Sequence, residues 1–288
     1  MEIYHNLTIL QNGVVLPFDY SFGVPMLFSW IVTFLFCIIL IEAELMNRKV
    51  SVVIYLITIL VGGLLLGGTP NAVMPIQQIL ITMGVRAEVG YLLPAIIILC
   101  VLFASSLLIG RIFCGFACPL GALQEIISKV NFKADLKAPK KVKYRIEISS
   151  QIPTIIRWIF LSILILFALW GVLILPVFNP FSGFLFPKTP SAQTLLLPFI
   201  GLIIICIASI FMYRPWCRFL CPFGAGSSLY SQFARSKYQR TDDCTDCGLC
   251  EDICPTQEAA RESKKGECYY CNRCIEICPH NAIKLNLG

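Results

Sequence analysis

The sequence predicts an α-helical membrane bundle of about five transmembrane helices with an internal parallel repeat, followed by a small α+β domain. Three observations predict this fold class. The chain has 288 residues, of which 57% are hydrophobic and only 14% charged. It contains several apolar runs close to the ~20 residues that a membrane-crossing helix needs. Twelve of its 15 cysteines fall in short clusters with metal-ligand spacing, which favours metal binding over a disulfide framework.

Five apolar segments are predicted to span the membrane, each bounded by charged residues or by Pro and Gly. They cover residues 24–41, 50–68, 91–110, 155–175 and 194–213. Cys37, Cys100 and Cys206 stand alone inside these runs. We therefore expect these three cysteines to face lipid or to fill packing gaps.

The distribution of cations predicts the orientation, because Lys and Arg are retained on the cytoplasmic side of a membrane. Of the 23 Lys and Arg residues, only Arg86 and Lys188 fall outside the segments 42–49, 111–157 and 214–288. Five spans place these three segments on one side. The sequence therefore predicts a multi-pass protein of the cell (plasma or inner) membrane, with the N-terminus outside and the C-terminal domain in the cytoplasm.

The last part of the chain, 241–288, differs from the membrane part, 1–240, in its charge. It carries nine acidic and five basic residues, whereas the connection that contains residues 129–145 is basic. That basic stretch is interpreted first as a determinant of topology. Opposite charges also favour docking of the C-terminal domain, or of another acidic electron carrier, on the membrane part.

Two cysteine runs in this domain have the spacing Cys-x2-Cys-x2-Cys-x3-Cys-Pro, which is typical of bacterial ferredoxins with two [4Fe-4S] clusters. Three thiolates of one run hold a cluster, and the fourth holds the other cluster. The predicted ligands of cluster 1 are Cys244, Cys247, Cys250 and Cys278, and those of cluster 2 are Cys268, Cys271, Cys274 and Cys254. The sequence thus predicts a ferredoxin domain over 241–288.

A twelve-residue motif occurs twice, 103 positions apart. RIFCGFACPLGA at 111–122 and RPWCRFLCPFGA at 214–225 are identical at seven of twelve positions. Each copy follows an apolar segment and precedes an amphipathic stretch, which predicts duplicated helix–CxxxCP units at 91–130 and 194–233. Parallel repeats are related by an axis along the membrane normal. The two cysteine loops are therefore expected to meet at one depth.

Four cysteines belong to these loops: Cys114, Cys118, Cys217 and Cys221. Three outcomes stay open, namely a third iron–sulfur cluster, a redox-active dithiol pair or Cu(I) site, and a purely structural role. Arg111 and Arg214 begin the two motifs. They are expected at the lipid headgroups, with the alternative that they balance the negative charge of a cluster.

The doubled motif and the double ferredoxin run resemble the NapH-type membrane ferredoxins, which include the quinol dehydrogenase membrane component of periplasmic nitrate reduction. The resemblance covers about residues 91–288. The resemblance implies quinol oxidation or another membrane electron relay. It also implies that the eight ferredoxin cysteines and the four CxxxCP cysteines are the functional residues that this chain shares with the family. The family is described with four spans, against the five predicted here. No flavin-attachment motif is found.

The leading hypothesis is an electron-transfer subunit that passes electrons between a quinol/quinone pool and a partner oxidoreductase. Its expected partners are membrane lipid, quinone or quinol, and other redox subunits or a soluble electron carrier, but no nucleic acid. Only His5 and His280 are present, and neither lies in an apolar run, which excludes a bis-histidine haem in the membrane. The alternatives are a thiol or copper redox assembly factor fed by the ferredoxin domain, and a membrane anchor for a soluble redox enzyme.

Polar residues at the inner ends of the spans are the candidates for a quinone site, since a carboxylate can accept a quinol proton and a guanidinium can hold a quinone oxygen. They are Glu42, Glu44, Arg111 and Arg214. The simpler interpretation is that these four residues are interfacial anchors. A weaker, outer site would use Thr69, Asn71, Gln77 and Gln78.

Overall fold

A computed structural model describes residues 48–85, 92–130, 151–172, 174–187 and 193–286, together with single positions between 28 and 39. Most of the predicted segment 24–41 lies outside the described residues. Cys37, Glu42 and Glu44 lie outside them as well.

The part predicted to lie in the membrane consists of helices up to Ser231, wherever the structure describes it. Helix α1 is Arg48–Ile57 and continues as a π-helix over Thr58–Leu65. The later α-helices are α2 Val73–Val85, α3 Leu93–Ile109, α4 Pro119–Val130, α5 Gln151–Leu169, α6 Leu175–Phe178, α7 Gln193–Phe211 and α8 Pro222–Ser231. A 3₁₀-helix covers Pro180–Leu185. Four of the predicted apolar segments correspond to α1 with its π-helix, α3, α5 and α7.

Helix α2 is an addition to the predicted elements, because the cation distribution, with Arg86 alone in residues 69–90, predicts an outer connection there. The side chain of Asn71 accepts a hydrogen bond from the Val73 N–H at 2.8 Å, which begins the helix. Pro75 lies in the first turn, where its missing N–H removes no helical hydrogen bond. The proline therefore does not prevent the helix that the segment's apolar residues favour.

Among the described residues, one helix, Gln151–Leu169, is long and apolar enough to cross a membrane. The shorter apolar helices are Lys49–Leu65, Val73–Gly84, Leu93–Ile109 and Leu195–Phe211. The number of spans predicted from the sequence is thus not confirmed by helix length.

The two CxxxCP units have the same local structure. A short π-helix covers Phe113–Ala117 in the first unit and Trp216–Leu220 in the second, at equivalent positions of the repeat. The units pack reciprocally, since α4 of the first lies against α7 of the second, and α8 of the second lies against α3 of the first. This exchange brings both cysteine loops into one core.

The C-terminal domain is small and has mixed structure. Strands β1 Lys237–Arg240 and β2 Ile283–Asn286 pair antiparallel, with Lys237 opposite Asn286 and Arg240 opposite Ile283. Two short helices, α9 Leu249–Ile253 and α10 Arg273–Ile277, each contain the third cysteine of a run and pack on each other. Strand β1 begins four residues before the boundary predicted at 241.

Candidate iron–sulfur centres

The eight ferredoxin cysteines line two separate cavities. Cys254 lies in one cavity with the second-run residues Cys268, Cys271 and Cys274. Cys278 lies in the other with the first-run residues Cys244, Cys247 and Cys250. The fourth cysteine of each run thus crosses to the other group, and each cavity receives the four thiols that a cubane cluster needs.

Backbone N–H groups point at the two crossing thiols. The amide of Glu258 donates to Cys254 Sγ at 3.2 Å, and the amide of Ala282 donates to Cys278 Sγ at 3.3 Å. Each donor lies four residues after its cysteine, so the two halves of the domain repeat this contact. Donors of this kind stabilise thiolate ligands and the reduced form of a cluster.

The two cavities differ in their access to solvent. Cys247 and His280, which line the first-run cavity, are both exposed. The second-run cavity is lined in part by Tyr213, which belongs to the membrane part. The cavity of the predicted cluster 2 therefore faces the membrane part, and the cavity of cluster 1 lies nearer to solvent.

The four CxxxCP thiols meet in a single buried core. Cys114, Cys118, Cys217 and Cys221 are only 6–8% exposed. Burial raises the pKa of Cys221 to about 12, and the neighbouring Cys217 and Cys114 raise it further, while the backbone N–H of Gly224 opposes the increase. Burial likewise raises the pKa of Cys118, and the Gly121 N–H has the same opposing effect. Thiols in such a setting ionise readily only when a metal replaces the proton.

Among the described residues, no group of three or more His, Cys, Asp or Glu side chains is arranged to hold a single metal ion. A cubane cluster keeps its four thiolates further apart than a mononuclear site does, because each thiolate binds a different iron. Four buried thiols from two loops fit that donor set.

Gln124 makes a hydrogen bond to one of these thiols. Its side-chain amide donates to Cys217 Sγ at 3.3 Å, and its oxygen accepts from the backbone N–H of Trp216 at 3.0 Å. The residue is 0% exposed. Gln124 belongs to the first repeat and Cys217 to the second, so this contact also joins the two units.

We expect Gln124→Met to lower the reduction potential of a cluster held at this site. The variant removes a donor to sulfur that stabilises the reduced form, at about 1 kcal/mol for one hydrogen bond, which is roughly 40 mV for a one-electron couple. EPR-monitored redox titration measures this shift. The two ferredoxin clusters in the same sample are the internal control, and an unchanged potential would exclude a role for Gln124 in tuning the site.

Arg111 and Arg214 are buried in the protein interior, which corrects the expectation that they lie at the lipid headgroups. They are 1% and 0% exposed. Each arginine contacts the loop of the other repeat: Arg214 donates to the Cys114 carbonyl at 2.5 Å, and Nη2 of Arg111 lies 3.1 Å from the position that a Cβ on Gly224 would occupy. Close packing against an arginine is therefore one reason for glycine at this motif position.

Two buried carboxylates each join a pair of arginines. Glu267, from the ferredoxin domain, binds Arg111 and Arg157 at 2.6 Å each. Glu125, from α4, binds Arg214 and Arg273 at 2.9 Å each. Since Arg273 also belongs to the ferredoxin domain, both triads join this domain to the membrane part.

The electrostatic setting keeps both carboxylates ionised. Burial alone would raise the pKa of Glu125, but Arg273, Arg214 and Lys129 outweigh it and lower the value to about 2. Burial acts on Glu267 in the same direction, and Arg111 and Arg157 again lower its pKa. The Tyr213 hydroxyl donates to Glu125 at 2.6 Å and adds to the stabilisation of this anion.

The two triads are related by the internal repeat. Position 228 is equivalent to position 125 by the 103-residue offset, but it holds Ser228 in place of a glutamate. Arg157 donates both to Ser228, at 2.9 Å, and to Glu267. Glu267 thus supplies from the ferredoxin domain the carboxylate that the second repeat lacks.

Buried cations outnumber buried anions around the CxxxCP loops. In the described part of the chain, the buried cations are Arg111, Lys129, Arg157, Arg214, Arg218 and Arg273, and the buried carboxylates are Glu125 and Glu267. Nε and Nη2 of Arg111 have no hydrogen-bond partner among the described residues. Cys114 and Cys217 both act electrostatically on Arg111, so this guanidinium lies close to the thiols. An anionic group at the four cysteines would balance this excess.

Sequence reasoning missed four residues of this network: Glu125, Arg157, Glu267 and Arg273. Arg157 was assigned to the basic connection, yet it lies in α5 and is 0% exposed. A lone arginine at the start of an apolar run is itself a signal of a functional or ion-paired site. Glu125, a single carboxylate in an amphipathic helix next to the motif, is the corresponding signal in α4.

Three of the four residues proposed for an outer quinone site have side-chain partners within the protein. Gln77 accepts a hydrogen bond from Asn179 at 2.8 Å, Asn71 caps α2, and the Thr69 hydroxyl donates to the Leu66 carbonyl at 3.1 Å. These contacts give the three residues structural roles. The lone Cys100 is exposed and Cys206 is partly exposed, as expected for lipid-facing or packing positions.

Two family descriptions, both given as "4Fe-4S binding domain", match this chain. One matches residues 91–137 and again 194–241, which are the two CxxxCP units. The other matches residues 238–257 and 264–284, which are the two ferredoxin runs. The chain carries ferredoxin-type 4Fe-4S domains.

Curated proteins with similar sequences include named electron carriers. The chain is 26% identical to the putative electron transport protein YccM of Escherichia coli over 57% of its length and 46% of that protein. It is 28% identical to the methylamine utilization ferredoxin-type protein MauN of Paracoccus denitrificans, over 55% of the chain and 53% of that protein. An uncharacterized protein of Methanocaldococcus jannaschii is 28% identical over 60% of this chain and 68% of its own length.

This chain is similar to iron–sulfur electron-transport proteins. The resemblance to NapH-type proteins in particular is not shown by these matches. The chain spans about half the length of YccM and of MauN. No solved structure matches it.

Proposed function

We propose that this chain is a membrane-embedded iron–sulfur subunit that passes electrons between a quinol/quinone pool and a partner oxidoreductase. Cys244, Cys247, Cys250 and Cys278 hold one [4Fe-4S] cluster, and Cys268, Cys271, Cys274 and Cys254 hold a second. Cys114, Cys118, Cys217 and Cys221 hold a third. Bound clusters supply one-electron redox chemistry at potentials that the surrounding charges and hydrogen bonds determine.

The observation that carries this proposal is the excess of buried positive charge around the four CxxxCP thiols. Arginine stays protonated in proteins, and an uncompensated buried charge costs several kcal/mol. A [4Fe-4S] cluster with four thiolates has a net charge of about −2 when oxidised. It would balance cations such as Arg111, whose Nε and Nη2 have no partner among the described residues.

Burial of the four thiols opposes the thiol-exchange alternative, and the excess of buried cations opposes the copper alternative. The four thiols are buried, and burial raises the pKa of Cys118, Cys217 and Cys221, whereas reactive dithiols are accessible and have a lowered pKa. A Cu(I) ion bound by two thiolates would leave more of the cationic excess unbalanced.

The proposed membrane location is supported by apolar side chains on the outside of the helices. On α5, Ile155, Ile159 and Leu166 are 54–59% exposed, whereas Leu164 and Ala168 on the other face are buried. A row of apolar side chains exposed to this extent is unfavourable in water and is typical of a surface in contact with lipid or a partner. We propose a multi-pass protein of the cell membrane with the ferredoxin domain in the cytoplasm.

The quinone site is proposed at the inner ends of the helices, near Glu42 and Glu44. An electron from a quinol must reach the CxxxCP thiols over a short path, and the two cysteine loops follow the predicted inner ends of segments 91–110 and 194–213. Arg111 and Arg214 already pair with Glu267 and Glu125. We therefore propose that the two arginines do not bind the quinone and instead balance the charge of the cluster at the CxxxCP cysteines.

Iron and sulfide analysis of the purified, anaerobically reconstituted protein tests the number of clusters. We expect about 12 iron atoms per chain, as three [4Fe-4S] clusters require, and three EPR species in a redox titration. A quinol analogue should reduce at least one of them. A content of about eight iron atoms, together with copper binding at the CxxxCP cysteines, would contradict the proposal and favour the assembly-factor alternative.

A further inference from the structure

Tyr269 occupies the space between the ferredoxin domain and both CxxxCP loops. It directly follows Cys268 and is 2% exposed. Two guanidinium groups lie over its ring, with the Arg111 carbon Cζ 4.3 Å and the Arg214 carbon Cζ 4.7 Å from the ring centre. These arginines begin the two repeated motifs, so the ring sits where the two units meet.

Tyr269 also approaches a cysteine in each loop. A Cβ on Gly115 would lie 2.4 Å from the Tyr269 carbonyl oxygen, so the backbone that follows Cys114 packs directly on this residue. The Tyr269 hydroxyl lies 3.5 Å from the Cys217 carbonyl oxygen and 3.3 Å from Glu267. One residue thus links Cys268 with the loops of Cys114 and Cys217.

We propose that Tyr269 is the bridging residue that couples the CxxxCP site electronically to the cluster site of Cys268. This inference rests on the proposed function. In each transfer one electron leaves one site, which is oxidised by one unit, and enters the other, which is reduced by one unit. No bond forms or breaks, and Tyr269 keeps its proton.

The two arginines determine how the ring acts. Two permanent cations close to the ring oppose removal of an electron from it, because both would repel a ring radical cation. Tyr269 therefore does not become a stable radical. It fills the gap between the two sites with a rigid, packed group, and the electron passes from one site to the other through it.

Tyr270 offers a matched control. It directly follows Tyr269, is 3% exposed, and precedes Cys271. Its ring packs on Tyr238 at 5.0 Å, and its hydroxyl donates to the Ser236 carbonyl at 2.9 Å. The residue thus has the same type and burial as Tyr269. Among the described residues, its hydrophobic cluster includes Ile112 and Phe116 of the first loop but no residue of the second loop, whereas Tyr269 reaches both loops.

The test uses the full-length protein with clusters in lipid nanodiscs. A photochemically generated reductant supplies less than one electron per chain, and freeze-quench EPR follows its distribution between the ferredoxin clusters and the CxxxCP cluster. We expect Tyr269→Leu to slow this equilibration roughly tenfold or more, because loss of the ring leaves a void between the sites. Tyr269→Phe should keep the wild-type rate, and Tyr270→Leu, which changes no contact with the second loop, should slow the equilibration much less than Tyr269→Leu does.

Equilibrium potentials and iron content are measured on every variant, since a purely structural change would alter them. If Tyr269→Leu loses clusters, Tyr269→Met supplies a flexible side chain that fills the space without a ring. A wild-type rate in an intact non-aromatic variant, or equal slowing in Tyr270→Leu, would overturn the bridging role. Absence of a CxxxCP cluster in the wild-type protein is a different result, which would overturn the proposed function and the bridge together.

Discussion

Replacing either Cys114 or Cys217 with serine is expected to remove the same EPR species and about four iron atoms per chain. The two cysteines lie in different repeats, 103 positions apart, but in one buried core. Serine offers a hard, weakly acidic oxygen in place of a soft thiolate, so the buried cubane loses one of its four ligands and we expect the cluster to be lost. Iron analysis and low-temperature EPR of the two variants measure this.

The matched control is Cys100→Ser, which changes an exposed cysteine outside the clusters. It should keep all three species. The two ferredoxin signals should persist in Cys114→Ser and in Cys217→Ser, since their ligands line separate cavities. If the two variants lose different signals, the four thiols do not share one cluster.

The sequence was most informative where spacing alone determines the geometry. The ferredoxin runs predicted the crossing of Cys254 and Cys278, and the structure brings each of them to the other run's cavity. The doubled motif predicted that two loops would meet, and the same 4Fe-4S family description matches both units. Both predictions use short-range patterns whose consequences do not depend on the rest of the chain.

Long-range ion pairs could not be predicted in this way. Glu267 pairs with Arg111 across 156 positions, and the repeat gives no indication of it because Ser228 stands where the second unit would carry its own glutamate. Arg111 and Arg214 resemble interfacial anchors in sequence, since arginines at the ends of apolar runs usually reach the headgroups. Burial of both depends on a docked domain, and the charge distribution that favours this docking does not indicate which residues pair.

Glu267→Gln is expected to lower the apparent stability of the protein by about 3–5 kcal/mol, or the apparent Tm by roughly 10 °C. The amide keeps the shape of the carboxylate but removes the negative charge that lies between Arg111 and Arg157, both of which are 0% exposed in their side chains. Two buried cations then lose their counter-ion. Because Glu267 belongs to the ferredoxin domain, this domain should also undock and become sensitive to protease.

Thermal unfolding in detergent and limited proteolysis measure the two effects, and the control is Glu251→Gln. Glu251 also pairs with an arginine, Arg240, within the ferredoxin domain, but its side chain is 47% exposed. Solvent-exposed pairs contribute about 0–1 kcal/mol, so this variant should unfold and resist protease almost as the wild type does. Equal behaviour of the two variants would mean that the Arg111–Glu267–Arg157 triad does not hold the ferredoxin domain on the membrane part.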